Sequence, residues 1–196
     1  PPTTGPQLKS DDESTAVAAK SVRLCTGNPF SPHWATHVPG MFNQTKLDEY
    51  LRATLALEDV VDTVSPMIFH VADPANTTAQ SLYGGLLVDA NAPTIVKALQ
   101  MTHRFRVEPI VVCPGRGPGT LGGCRIEWFR YYFENARFEA ACASAVQRLS
   151  LNGIQFDFES AFKPKTGAWA NATDGLRYRA MLTRIKRRLG HGTAVS

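Results

Sequence analysis

Leu151-Asn-Gly-Ile-Gln-Phe-Asp-Phe-Glu-Ser160 alternates strictly between apolar and polar side chains from Ile154 to Glu159. A period of two is that of a β-strand, so Ile154, Phe156 and Phe158 share one face and Gln155, Asp157 and Glu159 the other. Gly153 falls on the polar face as well. Two carboxylates on one face of an otherwise apolar strand are costly to bury unless they are paired or functional. A salt-bridged structural pair and a catalytic pair are both compatible with the pattern.

Reading outward from this strand, the chain repeats one unit. Before it, Glu134 to Leu149 places Phe138, Ala141, Cys142, Ala145 and Leu149 on one side of a helix. After it, Asp174 caps a last helix carrying Tyr178, Met181, Leu182, Ile185 and Leu189. Upstream, Ser21–Cys25 reads as a first strand. Thr45-Lys-Leu-Asp48 has capping-box form ahead of Leu47, Leu51 and Leu55 at helical spacing. Val64–Val71 is a second strand, bounded by loops, and Asn91-Ala-Pro93 starts a helix through Ile95, Val96, Leu99 and His103. Phe105–Cys113 is a third strand, nearly all apolar at its end, as expected of a strand covered on both faces.

Strands alternating with helices call for a parallel sheet with right-handed crossovers. An open doubly wound sheet fits, and so does part of a (β/α)8 barrel of the TIM type. A whole barrel needs about 250 residues, and this chain has 196, room for about four βα units. Residues 1–20, rich in Pro, Thr, Ser, Asp and Glu, read as a linker or disordered arm, and 21–196 as the folded domain.

A formal charge of +4 is modest, and the basic residues cluster at Arg177, Arg179, Arg184, Lys186, Arg187 and Arg188. No aromatic-rich basic motif accompanies them, so a solvated helix face is expected rather than a nucleic-acid surface. No apolar run approaches a membrane span. Three Asn-x-Thr sequons, at Asn43, Asn76 and Asn171, point to the secretory pathway and a secreted glycoprotein. The four cysteines agree with that compartment. Cys113 and Cys124 flank a Gly/Pro-rich loop that a local disulfide could close; Cys25 and Cys142 then pair or remain buried thiols. No cysteine has metal-site spacing, and the Gly115–Gly123 loop lacks the order of a phosphate loop, so no metal or cofactor is expected.

The signature strand resembles the F-D-G-x-D-x-D-x-E motif of glycoside hydrolase family 18, the chitinases and their relatives. Asn135–Leu149 resembles that family's preceding helix, Phe105–Cys113 its third strand and Val64–Val71 its second, so the likeness covers roughly residues 60 to 160. It implies the N-terminal half of a (β/α)8 barrel that acts on β-linked N-acetylglucosamine glycans by a substrate-assisted, retaining mechanism. Glu159 matches the catalytic acid and Asp157 the acid that orients the substrate's N-acetyl group. Two positions depart from the motif: Asn152 replaces its first Asp and Gln155 its middle one. A glutamine hydrogen-bonds but cannot take a proton, so a non-catalytic glycan-binding or structural relative is the alternative.

His70, at the end of the second strand, and Trp169, in the loop after the catalytic strand, join Gln155 as candidate sugar contacts. The family's later strands supply further substrate contacts, so a second half of the barrel is expected, as a continuation, a processed chain or another subunit. A half-barrel alone would leave two strand edges unpaired.

Overall fold

A computed structural model describes residues 22–26, 29, 42–113, 126–158 and 171–196. The proposed arm, residues 1–20, lies outside them. The strands are β1 (Arg23–Thr26), β2 (Thr63–Pro66), β3 (Phe69–Val71), β4 (Leu86–Val88), β5 (Arg106–Val107), β6 (Ile110–Val112), β7 (Gly153–Asp157) and β8 (Ala194–Val195). The helices are α1 (Gln44–Leu55), α2 (Thr77–Tyr83), α3 (Ala92–Met101), α4 (Ile126–Phe133), α5 (Ala136–Arg148) and α6 (Ala172–Leu189).

The second and third expected strands are each split in two. Met67 and Ile68 separate β2 from β3: the Met67 N–H turns to the Thr26 carbonyl and the Ile68 N–H to that of Pro66. Glu108 and Pro109 separate β5 from β6, where Pro109 has no N–H to give. Joined across these breaks, the parallel strands pair in the order β1, β2–β3, β5–β6, β7, β8, which is their order along the chain. A doubly wound sheet would reverse direction part-way. Sequential order is that of a barrel wall, so the fold is a partial (β/α)8 barrel: four βα units and the start of a fifth strand.

The alternating pattern sets what each face carries. Val64, Phe69, Val107, Val111, Ile154 and Phe156 are buried against the helical layer, with Leu47, Ile95, Leu99, Phe138, Cys142, Val146, Met181 and Ile185 in the same core. Phe156 meets Phe138 edge-on at 6.3 Å, and Phe158 stacks on Phe129 at 4.8 Å. Full burial of each such side chain stabilises by roughly 1.5–3 kcal/mol.

Several elements differ from the sequence expectation. β4, between the expected second strand and the helix at Asn91, is a further strand: it pairs antiparallel with β3, brought back by α2 and by Gly84, whose φ of 59° is the left-handed cap of that helix. A side chain there would also strike the Arg137 carbonyl oxygen, 2.6 Å from the Cβ position. Residues 126–133 form their own helix, α4, ending at Tyr131-Tyr132-Phe133. α1 is capped by Asn43, two residues before Thr45, and α6 by Asn171, with Asp174 as the reciprocal acid of a capping box. His103 lies beyond the end of α3.

The basic face of α6 is solvated at Arg177, Arg179, Arg187 and Arg188, and it also makes specific bonds. Arg184 donates to the buried Glu139 carboxylate at 2.7 Å and Arg177 pairs with Glu134 at 3.2 Å. Lys186 donates to the carbonyls of His191 and Thr193. On α4, Arg130 grips Asp174 with two bonds, 2.8 and 2.9 Å, and so ties α4 to α6. These pairs lock the helix after β7 against the helices before it, which fixes the frame holding the signature strand.

Candidate functional site

The inner face of the sheet carries the polar residues. The pairing registers set His70 beside Val112 and Val112 beside Asp157, so these three form a row across the upper ends of β3, β6 and β7. With about 4.8 Å between strands, the His70 and Asp157 backbones stand roughly 10 Å apart. Asp157 is the last residue of β7 and partly exposed. The end of a barrel strand is where catalytic groups sit in this architecture. Glu159, Trp169 and Cys124 lie outside the described residues.

One layer below, Gln155 is paired in register with Ile110. Its Oε1 accepts from Arg23 Nη1 at 2.8 Å, across two intervening strands. The same guanidinium donates to Ser196 Oγ at 3.1 Å and, through Nη2, to Glu108 Oε2 at 2.6 Å. Arg106 Nε holds the other Glu108 oxygen at 3.2 Å. Glu108 is only 2% exposed, and a carboxylate at that depth requires such partners. The structure therefore brings Gln155 and Asp157 to one face but gives Gln155 a basic partner that sequence reading missed. A signal was available: Arg23 and Glu108 are charges set inside short apolar strands.

Asn152, the other departure from the motif, has a structural task. Its Oδ1 accepts the Val107 N–H at 2.8 Å, its own N–H goes to the Val107 carbonyl, and its carbonyl accepts the Ala194 N–H. The residue thus clasps three neighbouring strands. An amide oxygen accepts the Val107 N–H as a carboxylate oxygen would, so Asn serves where the motif has Asp. Gly153 follows because β8 passes so close that a Cβ would lie 2.7 Å from the Ala194 carbonyl oxygen.

The sequons and cysteines are placed as follows. Asn43, Asn76 and Asn171 are exposed, and each caps a helix, accepting from the N–H of Lys46, Ala79 and Asp174 respectively. Capping accounts for an asparagine at each position whether or not it carries a glycan. Cys25 and Cys142 are free, so the second disulfide that the sequence left open does not form. Cys25 is exposed, whereas burial and then the Glu139 charge push the Cys142 thiol well up. Cys113 is disulfide-bonded. Among the described residues no group of three or more His, Cys, Asp or Glu could hold a metal, and no helix is long and apolar enough to cross a membrane.

No family profile matches the sequence, and no curated protein sequence matches it. Solved structures do. The spore cortex-lytic enzyme SleL of Bacillus cereus superposes with a TM-score of 0.56 at 14% identity, covering 89% of this chain and 34% of that one. The chitinase domain of the spore coat protein CotE from Clostridium difficile gives 0.55 at 11% identity, covering 97% of this chain and 44% of that one. The chain thus spans between about a third and a half of these structures. At such identities the likeness shows the fold, a portion of a (β/α)8 barrel.

Proposed function

We propose that this chain supplies the signature strand and the first four βα units of a secreted, family 18-like glycoside hydrolase acting on β-linked N-acetylglucosamine glycans. The observation that carries the reading is the position of Asp157: the last residue of β7, on the inner face, in a row with Val112 and His70. Glu159, two residues on, protonates the glycosidic oxygen of the leaving sugar. The acetamido carbonyl oxygen attacks the anomeric carbon as that bond breaks. Asp157 orients the amide and offsets the positive charge on the resulting oxazolinium, and water then opens it with retention. His70 and Trp169 contact the glycan. The remaining strands come from further polypeptide, which closes the edges at β1 and β8. Secretion accompanies this reading, with glycans at Asn43, Asn76 and Asn171 and a Cys113–Cys124 bridge.

The engagement of Gln155 by Arg23 supports a second reading, a non-catalytic glycan-binding relative, because the middle position of the motif is turned toward structure. The deciding experiment is turnover of a chito-oligosaccharide by the natural full-length polypeptide beside its Glu159→Gln variant. Turnover abolished only in the variant supports the enzyme. No turnover by either form at saturating protein, with the oligosaccharide bound, selects the binding protein.

A further inference from the structure

The Asp157 carboxylate takes no hydrogen bond among the described residues, so its direction comes to it through the main chain. The ladder to β6 ends at this residue, level with Val112. A strand end opens easily unless something beyond the ladder holds it. The next residue, Phe158, is held. Its ring stacks on Phe129 at 4.8 Å and lies 5.8 Å from Tyr178, 6.4 Å from Phe133 and, edge-on, 5.5 Å from Phe156. All of these separations fall within the range that aromatic pairs favour. Tyr178 also donates its hydroxyl to the Phe156 carbonyl at 3.3 Å, on the residue before Asp157. Phe129 and Phe133 belong to α4 and Tyr178 to α6, the helices that Arg130 and Asp174 join.

We infer that Phe158 is a positioning residue for the sugar site: seated among Phe129, Phe133, Phe156 and Tyr178, its ring extends the hold on β7 past the ladder and so aims Asp157. Phe156 and Phe158 meet on the helical side, packed against the core, which leaves Asp157 between them facing the interior. α4 thus serves the site from the outer side of the sheet. The catalytic consequence rests on the glycosidase reading above; the hold on the strand end does not. In that reading Asp157 offsets a charge that develops only as the glycosidic bond breaks, so loosening its aim lowers kcat rather than raising KM.

Two readouts in the natural full-length polypeptide test this separately. Amide hydrogen exchange across residues 156–158 should speed up about tenfold in Phe129→Leu and in Phe158→Ala, with exchange in α1 within about twofold of wild type. Unchanged exchange at 156–158 overturns the hold, and so does an equal rise in α1, which reports a looser fold throughout. With a chito-oligosaccharide, each variant should lower kcat about tenfold and leave KM within about twofold. Wild-type kcat alongside the faster exchange overturns the positioning role. Should Phe158→Ala not fold, Phe129→Leu, which leaves the strand's own sequence intact, carries both readouts. Faster exchange at 156–158 with no turnover by the wild type leaves the hold standing and removes the glycosidase reading.

Discussion

Asp174 offers the sharpest test of how the frame around the signature strand is held. Its carboxylate, on a side chain 4% exposed, accepts two bonds from Arg130 and one from the Asn171 N–H at 3.0 Å. Asp174→Asn keeps the shape but replaces one oxygen with a donor, which faces Arg130 in either orientation and, at Oδ2, the Asn171 N–H as well. At least one bond to a charged group is lost, worth about 1.5–3 kcal/mol, and the capping box is weakened. Arg130 is 34% exposed, so solvent screening trims the ionic part. We expect a loss of about 2 kcal/mol, read as a lower urea midpoint at pH 7 with unchanged slope. The Arg130 hydrogen bonds, ahead of the other influences, hold the Asp174 carboxyl down to about 2 from 3.8. A depressed folded value stabilises the fold above the unfolded value, and that contribution disappears as pH falls from about 4 toward 2. The gap between wild type and variant should therefore narrow across that range. A loss under about 0.5 kcal/mol at pH 7, or a gap indifferent to pH, refutes the reasoning.

Further expectations follow from single contacts. Gly153→Ala drives a methyl to within 2.7 Å of the Ala194 carbonyl oxygen and should cost about 2 kcal/mol, seen as a lower Tm; an unchanged Tm would contradict the packing of β8. A thiol reagent should label Cys25 in the native protein and reach Cys142 only after unfolding, and equal native rates would disprove that burial. Asn76→Ala, in protein made by a host that adds no N-glycans, should cost about 1 kcal/mol through the lost bond to the Ala79 N–H. Undiminished stability there would mean that the cap carries no weight.

Much of the barrel was legible because its signals are periodic. The strand at 153–157 alternates cleanly, and α5 and α6 carry apolar stripes of 3.6-residue period, so their existence and type followed from pattern alone. What escaped was set by single backbone groups. The breaks at Met67–Ile68 and Glu108–Pro109 depend on which carbonyl takes which N–H, and β4 has three residues, too few to show a period. The choice between an open sheet and a barrel was not available locally, since it lies in strand order. Spacing placed Asp157 and Gln155 on one face of β7, whereas the Arg23–Gln155 contact joins residues 132 apart, and its local trace is no more than a charge inside a short apolar strand. The solvated basic face of α6 was legible, with Arg177, Arg179, Arg187 and Arg188 exposed, whereas its pairs with Glu134 and Glu139 were not, because those acids lie on or beside another helix.

The strand order also bears on how the molecule is made. Since each parallel strand pairs with the one synthesised before it, β7 can dock as soon as α5 is complete, and β8 as soon as α6 is. The wall can grow from its first strand as the ribosome delivers the next, with no wait for distant sequence. Loop closure then stays short at every step, which favours speed. The exposed edge, where a foreign strand could add, moves along with the growing end, so protection from aggregation depends on the strand still to come.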